Sequence, residues 1–183
     1  MNEPTVSLII PVYNGGLSFR NCVKSLFDIR YPIEKLQIIL VDDGSTDDTF
    51  EWLQAQSLPS HMIIVHHNVN RGRAAARNSG ISQTNGEILI FIDGDMRIHP
   101  DCVQAHMEAH NLESVFAVAG KMIPDPNLPR TRLQRYLFEY SQRGAKQFGE
   151  QSPIGFQYLL TGNMSLKRDV LDVAGLFDET MSG

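Results

Sequence analysis

Short apolar runs alternate with amphipathic segments along roughly the first two thirds of the chain. The run Ile88–Ile92 is too short for a typical helix and rich in β-branched residues, which predicts a strand buried on both faces. Similar runs elsewhere predict further strands. The predicted strands are Val6–Val12, residues 36–41, residues 62–65, Ile88–Ile92 and residues 115–118.

Apolar residues at helical spacing fill the segments between these strands. The alanines at positions 74–76 favour a helix because alanine has a high helix propensity. Ser45 followed by Asp48 has the form of a capping box, which predicts that the second helix begins there. The predicted helices are residues 17–27, residues 45–56, Arg73–Ser82 and residues 100–111.

This alternation is typical of an α/β domain with a central, mainly parallel, Rossmann-like sheet flanked by helices. The pattern changes after Pro124, where three prolines lie close together. Residues 133–148 then form a predicted amphipathic helix, for which packing on the sheet is favoured over contact with a membrane surface or a lipid-linked acceptor. We expect residues 1–183 to form a single domain.

Two carboxylates follow the strand Ile88–Ile92, in the sequence Asp93-Gly94-Asp95. Side chains alternate along a strand, so both acids are expected to leave its end on the same side. Their mutual repulsion favours a divalent cation, and hard oxygen ligands suit Mg²⁺ or Mn²⁺. A solvated acidic turn is the alternative, because Asp-Gly is a common turn pair.

Polar and aromatic residues also follow the first two strands, at the edge where open parallel sheets bind ligands. Tyr13 follows the first strand, and its flat ring can stack on a nucleobase. Asp42 and Asp43 follow the second strand, just before a predicted helix. We expect one of these acids to serve the helix N-terminus and the other to remain free for a ligand.

A basic loop precedes the helix Arg73–Ser82. Free backbone N–H groups and the positive end of the helix dipole favour a phosphate at this place, although a solvated basic turn is the alternative. Arg73 and Arg77 share one helical face. A diphosphate between these arginines and a metal is therefore expected.

Histidines offer a second candidate metal site, because His106 and His110 lie four residues apart on a predicted helix. No cysteine or acid with suitable spacing completes a zinc site, so we expect a solvated helix face instead. His61, His66 and His67 flank a short strand and are predicted to be surface residues.

Composition limits the remaining possibilities. The chain has 183 residues, a net charge of −5 and a pI of about 5.6, which argues against general nucleic-acid binding. Its two cysteines, Cys22 and Cys102, are expected to be free buried thiols in a reducing compartment. Without a signal peptide or an apolar run of membrane-spanning length, we expect a cytoplasmic location, with contact at the inner face of the membrane as a further possibility.

Taken together, these motifs resemble the family 2 glycosyltransferases, which have the GT-A fold. The resemblance covers most of the chain, and its motifs occur in the family's order at sensible spacing. The matching segments are residues 6–14, 41–47, 70–80, 93–95, 161–165 and 175–179.

The resemblance implies transfer of a sugar, with inversion, from a nucleotide-diphosphate sugar such as a UDP-sugar to a hydroxyl of a carbohydrate or lipid-linked acceptor. It implies a nucleotide-binding part at residues 1–123 and an acceptor-side part at residues 124–183. Asp93 and Asp95 would hold Mg²⁺ or Mn²⁺. The substrate-binding residues expected from the strand ends and the resemblance are Pro11, Tyr13, Asn14, Asp43, Arg71, Arg73, Arg77, Asp93 and Asn163.

An inverting transfer also needs a base that deprotonates the acceptor hydroxyl. The family's base is an aspartate that follows the segment matching residues 177–179, so we expect it beyond Gly183 and assign no catalytic residue. The chain is then expected to bind donor and cation but to transfer sugar poorly. Asp178 and Glu179 are expected to form local hydrogen bonds.

Two alternative functions compete with this interpretation. A receiver-like, non-catalytic Mg²⁺-binding module also carries an acidic pair, but the pair follows its first strand, whereas here it follows the second. A sugar nucleotidyltransferase usually has a glycine-rich basic loop after its first strand, and residues 14–16 lack the accompanying arginine and lysine.

Overall fold

The structure is a computed structural model that describes residues 3–111, 114–123, 131–132, 136 and 159–180. Within these ranges six strands form one sheet. In chain order they are β1 (Val6–Val12), β2 (Leu36–Asp42), β3 (Met62–His66), β4 (Ile88–Ile92), β5 (Ala117–Ala119) and β6 (Asn163–Lys167).

Helices connect most of these strands, and a short 3₁₀ turn, Ile33–Lys35, precedes β2. The predicted helix bounds hold to within two residues except for the second helix, which begins at Thr49. The predicted capping box at Ser45 is therefore wrong, and the Asp47 carboxylate accepts the Thr49 N–H at 3.0 Å. The helices that lie wholly within the described ranges are α1 (Gly16–Leu26), α2 (Thr49–Gln54), α3 (Arg73–Ser82), α4 (Cys102–His110) and α5 (Val170–Ala174).

The strand order in the sheet is β3-β2-β1-β4-β6-β5. The first four strands of this order are parallel, and β6 runs antiparallel to both of its neighbours. The predicted α/β class and mainly parallel sheet are thus confirmed. Strand β6 was not predicted, although Asn163–Lys167 alternates polar and apolar residues as a half-buried strand does.

Apolar side chains cover both faces of the sheet. Leu8 and Ile10 of β1 face the core that contains Phe19 of α1, whereas Ile9 belongs to a second cluster with Phe91. Helix α3 approaches β1 closely at Gly80, where a Cβ atom would lie 2.5 Å from the Ile9 side chain. With both faces covered, the loops at the strand ends are the natural place for a ligand.

Several sequence predictions concern other parts of the chain. Of the amphipathic helix expected at residues 133–148, the described residues include Tyr136 alone, which is helical. Cys22 is buried and Cys102 is half-buried, and both are free thiols. Within the described ranges, no helix is long and apolar enough to cross a membrane.

Candidate functional site

An open cleft of about 380 Å³ lies at the carboxyl ends of β1 and β4. Its volume is within the range of small-ligand pockets. Tyr13 lines it with a half-exposed side chain, and Asp95 lines it from the opposite loop with an exposed carboxylate. The lining residues are Pro11, Val12, Tyr13, Asn14, Gly15, Ser18, Gly94 and Asp95.

Asn14 connects the loop after β1 to the loop after β2. Its Oδ1 accepts hydrogen bonds from the N–H groups of Thr46, at 2.7 Å, and Asp47, at 3.3 Å. Its own N–H donates to the Ser45 hydroxyl at 2.9 Å. The predicted substrate-binding residue Asn14 therefore lines the cleft, and its side chain also holds the loop after β2 in place.

Asp42 and Asp43 are both buried, and both are hydrogen-bonded inside the protein. The Asp42 carboxylate lies 2.8 Å from the Nδ1 atom of His66 and accepts the Ser45 N–H at 3.2 Å. The Asp43 carboxylate lies 2.6 Å from the Nδ1 atom of His67. The prediction that one of the acids serves the next helix and the other remains free is therefore wrong.

Asp43 also holds the loop that precedes α3. Its two oxygens accept the N–H groups of Arg71, at 2.9 Å, and Gly72, at 2.8 Å. The sequence predicts free N–H groups for a phosphate in this loop, but these two are already bound to Asp43. Arg71 and Arg73 themselves are exposed beside the loop.

His67 is the residue that sequence reasoning missed here. It is buried, in contrast to the predicted surface position, because it bridges the Asp43 carboxylate and the Ser79 hydroxyl, at 2.6 and 2.9 Å. His66 is exposed, as predicted, and His61 is half-buried.

Arg77 and Asp93 form a short ion pair, with 2.8 Å between Nη2 and Oδ1. The Arg77 side chain is only 6% exposed, whereas that of Asp93 is 40% exposed. Burial lowers the pKa of Arg77, and the charge and hydrogen bond of Asp93 counteract this effect. The arginine predicted to bind a diphosphate is thus engaged with a predicted metal ligand.

Gly94 allows the loop between the two acids to pack against β1. A Cβ atom at this position would lie 2.9 Å from the Pro11 carbonyl oxygen. Asp95 follows with an exposed carboxylate, and the Oδ2 atom of Asp93 faces Gly162. Among the described residues, no cluster of three histidine, cysteine, aspartate or glutamate side chains is placed to hold a metal.

Asn163 begins β6 beside the acidic loop. It pairs with Ile92, and the preceding Gly162 carbonyl accepts the Asp93 N–H at 3.2 Å. The Asn163 Oδ1 atom lies 2.9 Å from the Nε2 atom of His106. The structure thus brings the predicted residue Asn163 to the same sheet edge as Asp93.

His106 and His110 are buried, so the predicted solvated helix face is wrong. Both rings lie 2.8 Å from the Ser165 hydroxyl oxygen. Burial lowers the pKa of both histidines. Together with Val103 and Met107, the two histidines lie at helical spacing on one face of α4. The apolar residues on that face indicate that it is buried.

Glu179 makes long-range contacts, in contrast to the predicted local ones. It accepts a hydrogen bond from the Asn78 amide at 2.9 Å and lies 3.5 Å from the Arg71 guanidinium. Asp178 does bond locally, to the N–H and hydroxyl of Thr180. The hydrogen bonds of Thr180 lower the pKa of Asp178.

Two curated relatives share about a third of their aligned residues with this chain. Glycosyltransferase AglE of Haloferax volcanii is 34% identical over 120 residues, which are 65% of this chain and 40% of AglE. The uncharacterized glycosyltransferase YfnE of Bacillus subtilis is 32% identical over 154 residues, which are 84% of this chain and 38% of YfnE. The chain thus spans less than half of either relative.

Solved structures share the fold at lower identity. Mannosyltransferase PcManGT from Pyrobaculum calidifontis, in complex with GDP-Man and Mn²⁺, superposes with a TM-score of 0.74 at 22% identity, over 98% of this chain and 49% of that one. S. aureus TarS 1–349, in complex with UDP-GlcNAc, has a TM-score of 0.74 at 18% identity, over 94% of this chain and 48% of that one. Both similarities support the predicted GT-A fold.

The family model described as glycosyl transferase family 2 matches residues 7–173, which is most of the chain. This match favours a transferase over the receiver-like module and the nucleotidyltransferase. The chain therefore belongs to the family 2 glycosyltransferases.

Proposed function

We propose that this chain binds a UDP-sugar together with Mg²⁺ or Mn²⁺, as the donor-binding part of an inverting transferase that acts on a carbohydrate or lipid-linked acceptor. The observation that carries the proposal is the cleft itself. It places an aromatic ring, Tyr13, opposite an exposed carboxylate, Asp95, at the strand ends where α/β sheets bind ligands.

The nucleobase lies against Pro11 and the half-exposed Tyr13 ring in this proposal. A stacked base needs a flat surface that is accessible from one side, and Tyr13 is 47% exposed. Asp43 contributes in two ways. It holds the N–H groups of Arg71 and Gly72, and its Oδ2 atom keeps a lone pair for a ring N–H of the base.

The acids at the end of β4 fit a hard divalent cation. Asp95 presents an exposed carboxylate to the cleft, and Asp93 keeps its Oδ2 atom after Arg77 takes Oδ1. Mg²⁺ commonly uses one or two protein carboxylates and completes its shell with water and phosphate oxygens, so a larger protein cluster is not required. When bound, such a cation would neutralise the charge that develops on the leaving diphosphate.

Positive side chains complete the anion site. Arg71 and Arg73 are exposed at the start of α3, and arginine is well suited to bind a diphosphate. Arg77 acts through Asp93 instead, because its guanidinium is buried against that carboxylate. The diphosphate is thus recognised by side chains, since the Arg71 and Gly72 amides are engaged.

The solved relatives support this assignment. A chain of the same fold carries GDP-Man and Mn²⁺ in one case and UDP-GlcNAc in the other. These two donors differ in both base and sugar, so the choice of uracil rests on the family resemblance described above, and a direct test follows.

Calorimetry of the chain with UDP and with GDP, each in the presence and absence of Mn²⁺, provides that test. We expect UDP to bind, Mn²⁺ to strengthen the binding, and GDP to bind at least tenfold more weakly. Equal affinity for the two nucleotides would overturn the choice of base. Absence of nucleotide binding under all conditions would overturn the proposed function.

A further inference from the structure

A hydrogen-bonded series of buried polar side chains begins at the Asn163 amide. The His106 ring contacts Asn163 through Nε2, at 2.9 Å, and Ser165 through Nδ1, at 2.8 Å. The Nε2 atom of His110 contacts the same Ser165 hydroxyl at 2.8 Å. His106 is 3% exposed and Ser165 is fully buried. Polar groups are costly in such a place unless their hydrogen bonds are satisfied, so each of these contacts restrains the side chains that make it.

The orientation of the Asn163 amide determines which atoms donate and which accept in this hydrogen-bonded series. Its Nδ2 atom lies 3.2 Å from the Lys121 carbonyl oxygen, to which only an N–H can donate. The Oδ1 atom therefore faces His106, and His106 Nε2 must carry a proton. A flipped amide would set two oxygens against each other at Lys121.

Burial lowers the pKa of both histidines and so favours neutral rings. With neutral rings, the other proton positions follow. With its proton on Nε2, His106 accepts the Ser165 hydroxyl hydrogen at Nδ1. The Ser165 oxygen then accepts the Nε2–H of His110. Every donor in this sequence has one acceptor, so the Asn163 amide is held in a single orientation.

Packing around Asn163 adds to this restraint. A Cβ atom at Gly120 would lie within 2.5 Å of the Asn163 amide, and the Gly120 N–H donates to the Asn163 carbonyl at 2.8 Å. The amide therefore lies between the glycine backbone and the His106 ring. One N–H of Nδ2 and one lone pair of Oδ1 remain by valence, and the Asn163 backbone pairs with Ile92, the residue before Asp93.

We propose that His106 is a positioning residue that orients the Asn163 amide toward a hydroxyl of the donor sugar. The inference rests on the proposed function, because it requires a sugar nucleotide in the cleft. A neutral hydrogen bond of this kind changes affinity by about fivefold to tenfold. The effect is specific to the sugar, since the nucleotide is held by other residues.

Two matched variants separate positioning from packing. In His106→Gln the amide nitrogen can replace Nε2 as the donor to Asn163, whereas in His106→Asn the shorter amide reaches the position of Nδ1 and contacts only Ser165. Affinities for UDP, UDP-glucose, UDP-galactose and UDP-N-acetylglucosamine would be measured by calorimetry with Mn²⁺. Urea denaturation confirms that each variant is folded.

We expect the wild-type chain to bind one UDP-sugar more tightly than UDP. His106→Asn should lose about fivefold to tenfold of this preference while its UDP affinity is unchanged, and His106→Gln should retain it. Equal preferences in both variants, or a wild-type chain that binds UDP and all three sugars alike, would overturn the inference while leaving UDP binding intact. Loss of UDP binding in the wild type would instead overturn the proposed function.

A spectroscopic measurement tests the proton positions without any ligand. Nitrogen-15 spectra of the histidine rings at pH 7.5 should give a neutral ring with the proton on Nε2 for His106, assigned by the signal missing in His106→Gln. A proton on Nδ1, or a charged ring, would contradict the inference.

Discussion

The Arg77 guanidinium lies 2.8 Å from the Asp93 carboxylate, and this contact joins helix α3 to the end of strand β4. It also lies over the ring of Phe177, 5.8 Å from the ring centroid, so three separate chain segments meet at one buried cation. Because the pair neutralises Asp93, the exposed carboxylate of Asp95 is the better placed of the two acids for the proposed cation. The two acids of one motif thus have different surroundings.

Replacement of Arg77 by alanine should lower the free energy of unfolding by about 1–3 kcal/mol, because Asp93 loses its partner but keeps access to solvent. Urea denaturation measures this change. Arg73→Ala removes an exposed arginine from the same helix and should change stability by less than about 0.5 kcal/mol. Equal effects of the two substitutions would mean that the ion pair contributes nothing.

Asp95→Ala should remove most of the Mn²⁺-dependent increase in UDP affinity, because its carboxylate is the exposed one in the cleft. Calorimetry with and without Mn²⁺ gives the increment directly. Asp28→Ala removes the same charge from an exposed site on another loop and serves as the control. An Asp95→Ala chain that keeps the full increment would exclude Asp95 as a ligand.

Gly44→Ala should destabilise the protein more than Gly16→Ala. Both glycines have positive φ angles, which cost an alanine about 1–2 kcal/mol. A Cβ atom at Gly44 would also lie 2.4 Å from the backbone carbon of Val69, whereas the space around Gly16 is open. We expect overlap to add about 1–3 kcal/mol at Gly44, measured by urea denaturation. Equal losses would show that the loop after β3 moves aside.

Stability should fall as the pH decreases below about 6.5, the ordinary pKa of histidine. Burial lowers the pKa of His106 and His110 in the folded state, so the unfolded chain binds protons first. Each histidine contributes a slope of up to about 1.4 kcal/mol per pH unit, and its contribution is fully present above the unfolded pKa.

Urea denaturation between pH 5.5 and 7.5 measures this dependence. The double variant with glutamine at both positions should have a shallower slope than the wild type. His99→Gln, at an exposed histidine, should leave the slope unchanged. If the double variant retains the wild-type slope, other groups cause the pH dependence.

Both thiols should react slowly with Ellman's reagent at pH 8 in the native protein. Burial raises the pKa of Cys22 to about 12, with the charge of Asp95 adding to the effect, and raises that of Cys102 to about 11. Little thiolate is therefore present. In urea, both cysteines should react within minutes. Rapid reaction of a native thiol would contradict the described packing.

Local patterns predicted much of the fold because the strands β1 to β4 are largely apolar runs, each recognisable within a few residues. Strand β6 was missed because its polar and apolar residues alternate over only five positions, without a continuous apolar run. The edge of the sheet that carries the cleft was also predictable. The polar loops directly follow the apolar runs, so they mark the carboxyl ends of the parallel strands.

The hydrogen-bond partners of the site residues were harder to predict than the places of those residues in the fold. Asp43 was placed correctly at a strand end, but its contacts come from His67 and from the loop before α3, which are distant in sequence. His106 and His110 were recognised as a pair, yet their burial depends on Ser165 of the unpredicted strand. Spacing alone does not reveal which side of a helix meets the core unless its apolar neighbours are considered as well.

The position of β6 between β4 and β5 makes completion of the sheet a late event in folding. During synthesis from the N-terminus, β4 and β5 leave the ribosome long before Asn163 does, and among the described strands β5 pairs with β6 alone. The nascent chain therefore carries the wholly apolar strand Ile88–Ile92 with an open hydrogen-bonding edge. Because closure must wait for a distant segment, folding should be slower than that of a sheet built in sequence order.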